Sequence, residues 1–163
     1  MPHTIGGIPL HPLVVHAAIV LIPLAAIGVM LIAFVPRWRE RYGGLVALFA
    51  LGALVGTLLA KFTGENFQKD LGITSEKVTT HADLGQKMLY FVIPLFLVAI
   101  ALWWVGRREK EHQPYGVGLT ISLGVVSVIV ALAAGVWVVR VGHSGANAVW
   151  GGTVATTNSG AGG

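Results

Sequence analysis

The sequence predicts an all-α fold: an integral membrane four-helix bundle with both termini on the outer side. Three observations predict it. Of 163 residues, 55% are hydrophobic and only 11% charged, against about a quarter charged in a soluble domain. Four runs, at 13–35, 44–60, 88–105 and 117–139, contain no Asp, Glu, Lys or Arg. Each meets the roughly 17–25 residues that a helical span requires. Five of the six arginines gather in short connections, between the first and second runs and between the third and fourth.

The first run is too long for the apolar core of a signal peptide, has no basic segment before it, and leads into VPRWRER rather than a small-residue cleavage site. It is therefore read as a span. The connection PRWRERYG (36–43) supplies Arg37, Arg39 and Arg41, and GRREKEHQPY (106–115) supplies Arg107, Arg108 and Lys110. Short basic connections stay in the cytoplasm. The 61–87 connection balances four lysines against Glu65, Asp70, Glu76 and Asp83, and no Lys or Arg precedes Leu13. Both termini and the 61–87 connection are thus assigned to the outside of a plasma membrane. The pI near 9.8 reflects this topology, and nucleic acid is excluded as a partner. Residues 1–150 form one transmembrane domain, and the small, polar 151–163 (GGTVATTNSGAGG) is expected to be a flexible tail.

Trp38, Tyr42, Trp103, Trp104 and Tyr115 suit an inner aromatic belt; Phe62, Tyr90, Trp137 and Trp150 suit an outer one. Pro23 and Pro94, each in an Ile-Pro-Leu triplet and each 14 residues before an arginine, hint at two related hairpins and at kinks of similar depth. Gly52-x-x-x-Gly56 serves close packing inside one bundle or, alternatively, a homo-oligomer.

The histidines carry the functional reading. His11 and His16 lie at the outer end of the first helix. His81 lies at the outer start of the third, where Thr80 and Asp83 read as a capping box. His143 follows the fourth, in a glycine-bearing turn. Histidine offers a neutral ring nitrogen to iron, copper or zinc. With no cysteine in the chain, thiolate sites and covalent haem attachment are excluded. His11 and His16 are five apart, about 140° around a helix, and cannot ligate from one face. Pro12 fits a first turn, which makes His11 the helix boundary and His16 the deeper ligand candidate. His16, His81 and His143 are the expected metal ligands, with His11 beside them. Arg140, Lys87 and Lys61 sit at the level of haem propionates. The opposing reading is bland: imidazoles at a membrane interface, needing no cofactor. His3 and His112 are read as solvated.

The segments GIPLHPLVVH, His81-Ala82 and GHSGANAVWGG resemble a widespread bacterial family of four-helix membrane proteins, designated domain of unknown function 2231. The resemblance spans nearly the whole chain. It implies that His11, His16, His81 and His143, with Gly142 and Gly145, are characteristic positions. Because some relatives are joined to cytochrome-like modules, it also implies a redox or haem association. Ala17-Ala18 after His16 departs from the family's Phe-Pro, and Ala146 replaces a second glycine.

Gly142-His143-Ser144-Gly145 lacks the strand–turn–helix setting of a hydrolase nucleophile, and the spans carry none of the deep charges a pump requires. The chain is not expected to be a stand-alone enzyme. The expectations are a b-type haem protein in contact with the lipid bilayer, passing electrons to a quinone or respiratory partner; a cofactor-free accessory or scaffold subunit; or a small copper or zinc site.

Overall fold

A computed structural model describes residues 4–5, 8–71 and 75–150. A two-residue antiparallel pair, β1 (Thr4–Ile5) on β2 (Ile8–Pro9), precedes five helices. These are α1 (Leu10–Phe34), α2 (Pro36–Leu71), α3 (Glu76–Lys87), α4 (Leu89–Lys110) and α5 (Val117–Trp150). Met88, itself in α-helical geometry, joins α3 to α4. Four helical stretches are therefore long and apolar enough to cross a membrane: His11–Phe34, Pro36–Glu65, Glu76–Lys110 and Val117–Trp150. The four expected spans are present, and the all-α class holds.

Around the bundle the order is α1, α2, α4, α5, with α5 closing back on α1 and α3 lying chiefly against α5. The core is built of small side chains. Ala25, Ala50, Ala53, Ala99 and Ala134 have no exposed surface, and Val29, Val92, Leu95 and Leu102 fill the space between them. Small residues let helices approach where lipid supplies no hydrophobic drive. A Cβ on Gly56 would lie 3.6 Å from Ala18 Cβ, and one on Gly52 3.2 Å from a Leu21 methyl. The Gly52-x-x-x-Gly56 motif is thus spent within the chain, on α1. Two buried hydroxyls return to their own helix, Thr57 to Ala53 O and Ser127 to Leu123 O, both at 2.7 Å. This satisfies groups that would otherwise be costly in an apolar setting.

The structure corrects several expected boundaries. PRWRERYG is the opening of α2, not a loop. Val35 alone interrupts the helices, because a residue before proline is driven out of the α region, while Pro36 suits the first helical position. Val35 O then accepts from Trp38 and Arg39 N–H at 3.0 Å. At the other end α2 runs past Lys61 through Gly64 to Leu71, and α5 runs past Arg140 to Trp150. The glycine-bearing turns expected there are helical, since a glycine costs a helix only about 1 kcal/mol. The capping box at Thr80 is also corrected. Ser75 precedes the first turn of α3, and the Thr79 and Thr80 hydroxyls bond back to Glu76 O at 2.9 and 2.8 Å.

The aromatic belts divide. Trp38, Tyr42 and Trp104 are exposed at the arginine end, and Phe62, Tyr90 and Trp150 at the histidine end. Trp103 instead packs against Gly43 and Gly44 of α2. Trp137 stacks on Phe91 with centroids 4.6 Å apart and donates its indole N–H to Leu84 O at 3.1 Å. It ties α5 to α3 and α4. The expected tail at 151–163 lies outside the described residues.

At the arginine end, Arg39 ties two helices together. Only 1% exposed, it bonds Glu109 through Nε–Oε2 at 2.9 Å and Nη2–Oε1 at 2.6 Å, and its Nη1 donates to Ala33 O at 3.3 Å. A Cβ on Gly106 would lie 2.7 Å from Arg39 O, so α2 and α4 touch backbone to backbone beside the pair.

Candidate functional site

The histidine end is held by two cross-helix contacts of the same kind. His11, in the first turn of α1, places Nδ1 3.2 Å from Thr63 Oγ1 on α2. His81, on α3, places Nδ1 3.0 Å from Ser144 Oγ on α5. Each hydroxyl has one proton, and each gives it to a carbonyl of its own helix: Thr63 to Leu59 O and Ser144 to Val141 O, both at 2.8 Å. Each hydroxyl oxygen thereby meets Nδ1 of a ring from another helix. The Nδ1–H tautomer, in which Nδ1 donates to that oxygen, would place the ring's lone pair on Nε2.

A glycine follows each hydroxyl, and each glycine is needed. A Cβ on Gly64 would sit 2.9 Å from His11 Cε1, and one on Gly145 3.0 Å from His81 Cε1. The Cε1 side of each ring comes against helix backbone that any side chain would block. The two contacts repeat in sequence as well: Phe62-Thr63-Gly64-Glu65-Asn66 in α2 matches His143-Ser144-Gly145-Ala146-Asn147 in α5. With the paired Ile-Pro-Leu triplets in α1 and α4, this echo gives His11 and His81 corresponding places in the two halves of the chain.

The remaining histidines stand apart from this pair. His16 is exposed and bonds Pro12 O of its own helix at 2.6 Å. His143 is exposed and lies 3.4 Å from Asn147 Nδ2, one turn along α5. Of the two histidines in HPLVVH, the one that reaches another helix is His11, not the deeper His16. His112 is exposed at the far end, as expected, and His3 lies outside the described residues. Arg140 is exposed with its guanidinium 5.4 Å from the Trp137 ring centroid, and Lys87 is exposed at the end of α3. Among the described residues, no three His, Asp or Glu side chains are grouped to hold a metal ion between them.

Thr63, Gly64 and Ser144 are site residues that the sequence reading did not select. The signal for them was the FTGEN/HSGAN echo. It is masked because the offset between these segments differs from that between His11 and His81.

The comparisons agree with this architecture. Neither a curated protein nor a solved structure matches the chain. The family described as predicted membrane protein (DUF2231) matches residues 7–158, which include both histidine contacts and all four spanning stretches. The chain belongs to that family.

Proposed function

We propose that the histidine end holds a non-covalently bound b-type haem, with His11 and His81 as its axial ligands, and that the protein exchanges electrons with a quinone or a respiratory partner in the membrane. One observation carries this reading: two histidines on different helices each set Nδ1 against a hydroxyl of a neighbouring helix. Histidine ligands to iron commonly donate the second ring N–H to an oxygen of the protein, which orients the ring and makes the ligating nitrogen more basic. Thr63 and Ser144 stand at Nδ1 in both halves, and Nε2 would be the nitrogen offered to iron. The residues present fit the group in other respects too. A two-histidine set needs no thiolate, and ligands from facing helices are the usual arrangement in a bundle. Lys61, Lys87 and Arg140 provide positive charge toward the same end for propionates.

Bound iron would supply one-electron redox chemistry. The chain's own residues do the rest. Thr63 and Ser144 hold the ring planes, Gly64 and Gly145 admit the rings against the helices, and the alanine-rich core keeps the two hairpins in register. The arginine end, with Arg37, Arg41, Arg107, Arg108 and Lys110, faces the cytoplasm of a plasma membrane by the charge rule. That puts the histidine end and both termini outside.

The test is the visible spectrum of the protein purified in mild detergent from haem-replete cells. A Soret band with a sharp reduced α-band, and about one haem per chain on extraction, is the expected result. A colourless protein overturns the proposal, and so does stoichiometric copper or zinc on elemental analysis.

A further inference from the structure

At the opposite end, α4 stops in a way that prepares a surface for an anion. His112 adopts φ 58°, a left-handed conformation uncommon outside glycine. This turns the chain so that Glu111, His112 and Gln113 N–H bond Arg107 O, Glu109 O and Arg108 O at 3.1, 3.1 and 2.9 Å. The carbonyls that normally make a helix C-terminus repel anions are taken by the turn itself. Beside them lies a groove of about 310 Å³, lined by Trp104, Arg107, Arg108, Glu111 and Gln113, at the lower end of the range for small-ligand sites.

The two arginines there are held without being neutralised. Arg107 lies 5.7 Å from the Trp103 ring centroid, and Arg108 lies 5.2 Å from that of Tyr115. Glu109, the acid next to them in sequence, is committed to Arg39. Among the described residues, Arg39–Glu109 is the one ion pair. Two arginines and Glu111 leave the groove with a charge of about +1. The apolar part of α4 ends at Val105 and Gly106, which sets the groove at headgroup depth, and Trp104 is exposed at that depth as an interfacial anchor.

We infer that this groove binds the headgroup of an anionic phospholipid of the phosphatidylglycerol type. Arg107 and Arg108 take the phosphodiester, while Glu111 and Gln113 accept from the headgroup hydroxyls. A monoanion matches the groove's charge. A zwitterionic choline headgroup does not, and it brings no hydroxyls.

Lipid retention by the full-length protein, read by native mass spectrometry after titration with single lipids of matched chains, tests this. Phosphatidylglycerol should be retained more strongly than phosphatidylcholine or phosphatidylethanolamine. Arg107→Gln and Arg108→Gln should each reduce that preference by about fivefold. Arg37→Gln with Arg41→Gln, at the same end but outside the groove, should leave it in place, and unchanged helical circular dichroism verifies that each variant is folded. Equal retention of all three lipids overturns the inference. So does an equal loss from the Arg37/Arg41 variant, which would mean diffuse charge. Displacement of the lipid by millimolar inorganic phosphate alone would identify a phosphate site and overturn it too.

Discussion

The two ends of the bundle solve the same packing problem with opposite chemistry. At the arginine end, Arg39 and Glu109 join α2 to α4, and every polar atom of the contact is answered within the protein. At the histidine end, His11 and His81 join α1 to α2 and α3 to α5. There each ring meets a hydroxyl of another helix through Nδ1. Both ends use a glycine for close approach. Gly106 faces backbone, whereas Gly64 and Gly145 face the edge of a ring. One end is closed by charge; the other is closed only as far as a neutral hydrogen bond requires. A contact of the second kind costs less to open.

This contrast can be broken most forcefully at Arg39. Arg39→Ala leaves the partly buried Glu109 carboxylate without its partner and should destabilise the detergent-solubilised protein by up to about 3 kcal/mol. Replacing both residues by Met and Leu should restore most of that, because an apolar pair of similar volume avoids the desolvation cost. Denaturant titration of the wild type and these two variants gives the answer, and a double variant no more stable than Arg39→Ala would show that the charges themselves are required.

Glycine substitutions come next. Gly64→Ala and Gly145→Ala should each cost about 1–3 kcal/mol as the ring is displaced. Gly106→Ala should cost more, since helix backbone cannot swing aside as a ring can. Equal melting temperatures for Gly106→Ala and Gly145→Ala would erase the distinction drawn between the ends.

Smaller effects sharpen the equivalence of the two halves. Thr63→Val and Ser144→Ala each remove the hydroxyl at a ring Nδ1 and should cost about 1 kcal/mol apiece. They should also lower affinity for a ligand on Nε2 by about 10–100-fold. A large effect from one and none from the other, by haem titration, would deny that the half-sites are equivalent. Smallest of all, His16→Ala and His143→Ala change exposed side chains that bond only within their own helices, and melting should register them within about 0.5 kcal/mol.

The sequence made the spans, the family and the histidine end legible because each depends on apolar length or on one residue type near a boundary. What it hid depends on partners far along the chain. Arg39 looks like any interfacial cation until Glu109, 70 residues away, is brought beside it. The ends of α2 and α5 were missed because hydropathy marks only the apolar part of a helix, and both continue as polar helix beyond it. His16 drew attention by its depth, and depth is no guide to direction. About 140° of helix separates it from His11, and the neighbouring helix lies on the side of His11. Thr63 and Gly64 lay in an unremarkable polar stretch, and their meaning came only from Ser144 and Gly145.

The central claim is that His11 and His81 act as one equivalent pair. It is tested most directly by the optical spectrum of the haem-reconstituted wild type beside the His11→Ala, His81→Ala, His16→Ala and His143→Ala proteins. The account predicts a six-coordinate low-spin spectrum in the wild type, its loss in both His11→Ala and His81→Ala, and its retention in the other two. A spectrum that survives either of the first pair, or vanishes with His16 or His143, would contradict it.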